Sequence, residues 1–168
     1  MMPRASRPQP APPLNGVRVL DLSWLLPGPF CTGLLADLGA DVVKVERPGD
    51  GDYMRDILPG MFRLANRGKR SGVFDLRSDT DHARLLEFAA GADVLVEGFR
   101  PGVVARLGVG YEHVKAVNPG IVYVSISGFG QTGPNVMRAG HDVNYAGTAG
   151  LLSIPIAGSD GSPSRMPI

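Results

Sequence analysis

Short runs of β-branched and apolar residues return along the chain at intervals that leave room for one helix, and this alternation constrains the fold more than any other feature. The runs are residues 16–22 (GVRVLDL), 41–46 (DVVKVE), 71–75 (SGVFD), 94–97 (VLVE) and 121–126 (IVYVSI). Each reads as a strand, and the first is apolar enough to be buried on both faces. Between the first two, Pro29 suits the opening turn of a helix, where a missing N–H costs nothing, and Gly39 suits its stop. Phe30, Leu34, Leu35 and Leu38 recur at helical spacing between them. A strand–helix–strand unit of this kind crosses over right-handedly, so its strands are parallel. Further helices are predicted from about residue 80 to 90, closed by Gly91, and over 111–117, ended by Asn118, Pro119 and Gly120. The pattern predicts an α/β chain with a Rossmann-like, doubly wound and mainly parallel sheet. Such sheets bind ligands beyond the carboxyl ends of their strands.

At 168 residues and 43% hydrophobic content the chain has the material for one domain with a real core. Residues 1–13 hold five prolines with Arg4 and Arg7 and read as a flexible tail, leaving 14–168 as the folded domain. Seventeen basic against 16 acidic residues give a net charge of +1, so nothing global argues for nucleic acid or an anionic membrane surface, and any anion must be held locally. The single cysteine, Cys31, cannot form an internal disulfide, and no apolar run approaches a membrane span. The cytoplasm is the expected compartment, and no metal site is expected.

The predicted carboxyl edge collects turn-rich loops. Leu26 and Pro27 follow the first strand, Arg47 the second, residues 97–102 (EGFRPG) the fourth, and residues 127–134 (SGFGQTGP), with Gly128 and Gly130, the fifth. Each alone is an ordinary turn; their common edge marks a candidate ligand site. Residues 55–77 gather Arg55, Arg63, Arg67, Lys69, Arg70 and Arg77 against only Asp56 and Asp75. That stretch is either a solvated loop or a clamp for phosphates, and composition does not choose between them. A nicotinamide dinucleotide reading is the weaker alternative. Glu46 stands about where an acid holds a ribose hydroxyl, but residues 28–33 lack the G-x-G-x-x-G spacing and Pro29 removes an N–H that would face a pyrophosphate. His141 follows the glycine-rich loop, with Asp142, Asn144 and Tyr145 available to orient it, and is either a structural histidine or a proton-transfer group; His82 and His113 read as structural.

These residues resemble a known family. Residues 14–22 (LNGVRVLDL), 27–30 (PGPF), 35–41 (LADLGAD), 45–49 (VERPG), 66–71 (NRGKRS), 96–102 (VEGFRPG) and 125–134 (SISGFGQTGP) are similar, in order, to the opening of the family III coenzyme A-transferases of CaiB/BaiF type. That family includes formyl- and succinyl-coenzyme A transferases, carnitine coenzyme A-transferase and the α-methylacyl-coenzyme A racemases. The resemblance implies acyl-coenzyme A thioesters as substrates and a coenzyme A cradle at the edge already derived. Adenine and phosphates would lie near Arg47, Arg67, Lys69 and Arg70, with Glu97, Gly98, Phe99, Arg100 and Arg106 flanking the pantetheine, and Leu26, Pro27, Gly128 and Gly130 in the surrounding turns.

Residues 140–145 (GHDVNY) look like the racemases, whereas transferases often carry Gly-Tyr-Asp there. The resemblance therefore implies His141 as one of two proton-transferring groups on opposite faces of the α-carbon, the other an aspartate, with the thioester carbonyl carrying enolate charge. In the family that aspartate lies a little beyond the segment matching residues 163–168, and in the transferases it carries the acyl group. It is expected past Ile168, since Asp142 adjoins the histidine and Asp160 lies in a turn. Family members are longer, add a small domain, return to complete the first domain, and interlock as homodimers. The 168 residues alone are then expected to expose apolar surface, for example over 145–152, and to self-associate. The alternative from another class is a truncated, non-catalytic coenzyme A-binding module.

Overall fold

The β-branched runs become five strands: β1 (Arg18–Leu22), β2 (Asp41–Glu46), β3 (Arg70–Val73), β4 (Val94–Glu97) and β5 (Val122–Ser125). They pair in the order β3-β2-β1-β4-β5, every neighbour parallel. The strand order reverses between β1 and β4, and at that switch point the loops leaving the two strands diverge to open a crevice. The computed structural model describes residues 10–151. The chain divides into two compact units with the boundary between Ser127 and Gly128. Leu152, Asp160 and most of the proline-rich tail lie outside the described residues.

Helices cover the first unit's sheet on both faces. α1 (Pro27–Asp37), α2 (Met54–Ile57) and α3 (Pro59–Asn66) fill the β1–β2 and β2–β3 connections, and α1 packs on α3. α4 (Asp79–Ala90) leads to β4, and α5 (Val103–Arg106) and α6 (Tyr111–Val117) lead to β5, with α4 packed on α6. Side chains alternate along the strands with period two. Leu20, Leu22, Val45 and Leu95 enter a core with Leu85, Ala89, Val104, Val109 and Val114 of the α4–α6 side. Val19, Val42 and Val96 enter a smaller core with Leu35 and Ala36 of α1.

The predicted strands and the helices at 80–90 and 111–117 are present within a residue or two. Three differences have physical causes. β3 runs from Arg70 to Val73, and Phe74, expected inside it, follows the strand, its N–H donating to the Glu46 carbonyl at 2.9 Å. The stretch before β3, read only for its charge, forms the two helices α2 and α3, the second opened by Pro59 in its first turn. In α1, of the residues at helical spacing only Leu35 reaches the core. Gly28, Pro29, Thr32 and Gly33 are buried, while Phe30, Leu34 and Leu38 are exposed. The small residues permit close approach: a Cβ on Gly33 would lie 2.6 Å from the Ala65 carbonyl oxygen of α3. Among the described residues no helix is long and apolar enough to cross a membrane.

The second unit contributes α7 (Asp142–Thr148), none of whose residues is buried. Its first turn is closed by the His141 N–H donating to Asn144 Oδ1 at 2.9 Å. The Tyr145 hydroxyl donates to the Gly140 carbonyl at 2.6 Å, and its ring packs on Phe129 with centroids 5.3 Å apart.

Candidate functional site

The period-two pattern that builds the α1 face breaks near the carboxyl ends of the strands. Above Val19 stands Asp21, and above Val42 stand Lys44 and Glu46, all buried. Asp21 and Lys44 are register partners on adjacent strands. Asp21 accepts from the Ser23 N–H and hydroxyl, the Thr32 hydroxyl (2.6 Å) and the Lys69 ammonium (2.9 Å). Burial holds the Lys69 ammonium below its ordinary pKa, against the opposing pull of Asp21. Lys44 pairs with Asp52 at 2.9 Å and donates to the Ser23 carbonyl at 2.8 Å. Glu46 accepts from the Asp52 N–H (3.0 Å), both nitrogens of an Arg55 fork (2.9 and 2.6 Å) and the Ser71 hydroxyl (2.6 Å). Burial works to raise the Glu46 pKa. The bonds from Arg55, Ser71 and the Asp52 backbone outweigh it and hold the carboxyl down at about 2.

A cleft opens at the carboxyl edge on the other, α4–α6 side of the sheet. Leu22, Val45 and Phe74 form its apolar floor; Trp24, just past β1, and Phe99, just past β4, meet across the switch point with ring centroids 5.9 Å apart. Arg47 stacks over Trp24 at 5.2 Å, and Arg77 stands at the rim, largely exposed. The volume is about 160 Å³, below the roughly 300–1,000 Å³ of a full small-molecule site. It therefore suits one part of a larger ligand: a flat ring laid against the aromatic pair, with guanidinium forks outside for anionic groups.

The predicted site residues distribute unevenly around this cleft. Arg47 and Phe99 line it, and Gly98 packs beside Ser23, where an added Cβ would approach the serine Cβ at 3.5 Å. Leu26 and Pro27 begin α1 and are exposed. Glu97 is buried and turns back to accept the Phe99 N–H at 2.8 Å. Arg100 and Arg106 are exposed on the loop and short helix after β4. The Arg67, Lys69 and Arg70 group is placed elsewhere. Arg67 pairs with Asp37, Lys69 is buried against Asp21, and Arg70 makes a two-pronged pair with Asp41 at the amino ends of β2 and β3, the opposite edge of the sheet. The basic stretch is mostly neither a free loop nor a free clamp, because acids distant in sequence neutralise it. His141, Gly128 and Gly130 belong to the second unit, where His141 is the residue before α7 and Gly128 faces Tyr145 so closely that a Cβ would fall 2.1 Å from its hydroxyl.

Sequence reasoning missed Trp24, Phe74, Asp75, Leu76 and Leu107 as cleft residues and named Arg77 only within the candidate phosphate clamp. All but Leu107 stand within a few residues of a strand's carboxyl end, so position alone could have found them. Among the described residues no group of His, Cys, Asp and Glu is placed to hold a metal ion.

Comparison with known proteins agrees with this fold. Residues 14–168 match the family described as CoA-transferase family III. The chain is 42% identical to an acetyl-CoA:oxalate CoA-transferase of Acetobacter aceti, covering 94% of this chain and 42% of that protein. It is 45% identical to the human alpha-methylacyl-CoA racemase, over 83% of this chain and 35% of that protein. A CaiB/BaiF family protein from Brucella suis has the same fold, with a TM-score of 0.86 and 37% identity over 95% of this chain and 44% of that one. The chain thus spans less than half the length of these relatives.

Proposed function

The chain belongs to CoA-transferase family III, a family of enzymes, and on that premise we propose that its cleft takes the nucleotide end of coenzyme A and that the whole protein acts on acyl-CoA thioesters. The observation that carries this reading is the aromatic cleft at the β1–β4 switch point with Arg47 and Arg77 at its rim. Adenine is a flat ring suited to packing against the Trp24–Phe99 pair, and the guanidinium groups meet the phosphates. Gly98, Arg100 and Arg106, on the loop leaving β4, flank the pantetheine arm. Arg67, Lys69 and Arg70 are left out of the cradle because none of them lines the cleft, whereas Arg47 and Arg77 do.

The dinucleotide alternative loses support on two counts. The first turn of α1 carries prolines in place of amide donors, and Glu46 already accepts four donors, which fills the acceptor capacity a ribose would need.

Within the family we read the chemistry as proton transfer at the α-carbon of the acyl group, with His141 as one base and an aspartate beyond Ile168 as the other. The support is the 140–145 sequence (GHDVNY) and the 45% identity to a racemase. Coenzyme A transfer between carboxylic acids is the competing activity, and the transferase relative supports it. A homodimer is the proposed assembly, supported by apolar side chains that α1 and α3 turn outward, among them Phe30, Leu34, Met61 and Leu64.

Calorimetric titration with coenzyme A tests the binding reading. The chain is expected to bind it, and Arg47→Ala is expected to weaken binding about tenfold, as for a charged hydrogen bond lost to water. Undiminished affinity in that variant refutes the cradle. Incubation with a 2-methylacyl-CoA in deuterated water tests the chemistry: α-hydrogen exchange abolished by His141→Ala supports the racemase reading, and exchange that survives His141→Ala refutes it.

A further inference from the structure

The turn that carries Trp24 is held in a strained shape from beneath. Leu25 has φ +64°, the left-handed region that a branched, non-glycine side chain disfavours. Two buried ion pairs grip the residues around it. On one side Asp21, neutralised by Lys69, accepts the Ser23 N–H and hydroxyl. On the other, Lys44 donates to the Ser23 carbonyl and pairs with Asp52, whose Oδ1 accepts the Leu25 N–H at 3.3 Å and the Met54 N–H at 3.0 Å. Asp52 Oδ2 takes no aligned hydrogen bond and is neutralised by the ammonium charge alone. Lys44 and Asp52 are fully buried and so cannot themselves meet a ligand. Four buried charges beneath a single turn are far more than a sheet–helix contact needs, since apolar residues of equal volume pack as well or better.

We infer that Lys44 and Asp52 are positioning residues for the ligand cleft: with Asp21–Lys69 they force the Ser23–Leu26 turn into its left-handed shape and so aim the Trp24 ring at Phe99 and Arg47. The inference rests on the coenzyme-binding reading of the cleft, but the clamp itself has a readout without ligand. Trp24 is the only tryptophan of the chain, so its emission and its quenching by acrylamide report the turn directly.

In the full chain, the double variant Lys44→Met/Asp52→Leu removes both charges together and leaves neither unpaired. Its Trp24 is expected to be more readily quenched, and its coenzyme A dissociation constant is expected to rise about tenfold as the wall loses preorganisation. Asn118→Ala is the control for general destabilisation, because it removes bonds to the Ala89 and Ala92 carbonyls on the α4–α6 side; it should leave quenching unchanged. Adding Leu25→Gly to the double variant should restore both readouts, since glycine adopts the left-handed shape without a clamp. Leu25→Gly alone should change neither, and remains informative if the double variant does not fold. Wild-type quenching in the double variant, equal loosening in Asn118→Ala, or loosening in Leu25→Gly alone each overturns the inference. Failure of the wild-type chain to bind coenzyme A overturns the ligand reading and leaves the quenching series to decide the clamp.

Discussion

Glu46 is the group whose ionisation the fold depends on most visibly, and acid should expose that dependence. A carboxyl held at about 2 against an ordinary 4.5 contributes about 3 kcal/mol to stability at neutral pH, at roughly 1.4 kcal/mol per tenfold change in proton affinity. Because the folded value is depressed, this contribution is complete above the unfolded pKa and is lost as pH falls from about 5 towards 2. By pH 3 roughly 2 kcal/mol of it should be gone. In Glu46→Gln the amide still accepts from Ser71 or the Asp52 N–H, but it sets an N–H₂ against the Arg55 guanidinium and cannot titrate. The variant should be less stable by about 2–3 kcal/mol at pH 7, an order-of-magnitude figure for a buried charged pair broken on one side. Its stability should also fall less steeply than the wild type's between pH 5 and 3. Urea unfolding followed through Trp24 at several pH values measures both curves, and their difference isolates Glu46 from the other carboxylates. Parallel curves across that window would falsify the claim that the Arg55–Ser71–Asp52 cage holds this carboxyl ionised.

Other outcomes follow from particular contacts. Gly33→Ala should lower the Tm, since a Cβ 2.6 Å from the Ala65 carbonyl oxygen forces α1 and α3 apart, at a cost of about 1–3 kcal/mol for overpacking. Tyr145→Phe removes the hydroxyl bond to the Gly140 carbonyl and should cost about 1 kcal/mol; faster amide exchange in α7 is the measurement, and unchanged exchange would show the bond to be idle. Sedimentation should find concentration-dependent association of the 168-residue chain, reduced by Phe30→Asp with Leu34→Lys on the exposed face of α1; a stable monomer at high concentration with a cooperative melt speaks against that face as an interface.

The order of strands and helices was legible in the residues because both periods are local. Leu20 and Leu22 on one face of β1, and Val19 on the other, mark a doubly covered strand before any partner is known. Pro29, Gly39 and Gly91 punctuate helices through backbone chemistry that needs no tertiary context. The carboxyl edge as a candidate ligand site follows from parallel topology, and Arg47 and Phe99, expected at that edge, line the cleft there. The motif order was legible too, and it named the family. Tertiary structure decided which charges are free. Within residues 55–77 the cations outnumber acids, yet Asp21, Asp37, Asp41 and Glu46, brought from β1, α1 and β2, neutralise Lys69, Arg67, Arg70 and Arg55. Pairings across 9 to 48 positions carry no local signature, because they depend on which strands become neighbours. The same holds for the outward-turned leucines of α1, whose spacing announces a helix but not the face it buries. One signal was present and unread: Asp21 and Lys44 place charges on a strand face that begins with Val19 and Val42. A buried charge there requires a partner, and only the tertiary fold brings Lys69 to Asp21 and Asp52 to Lys44 beneath the turn that aims Trp24.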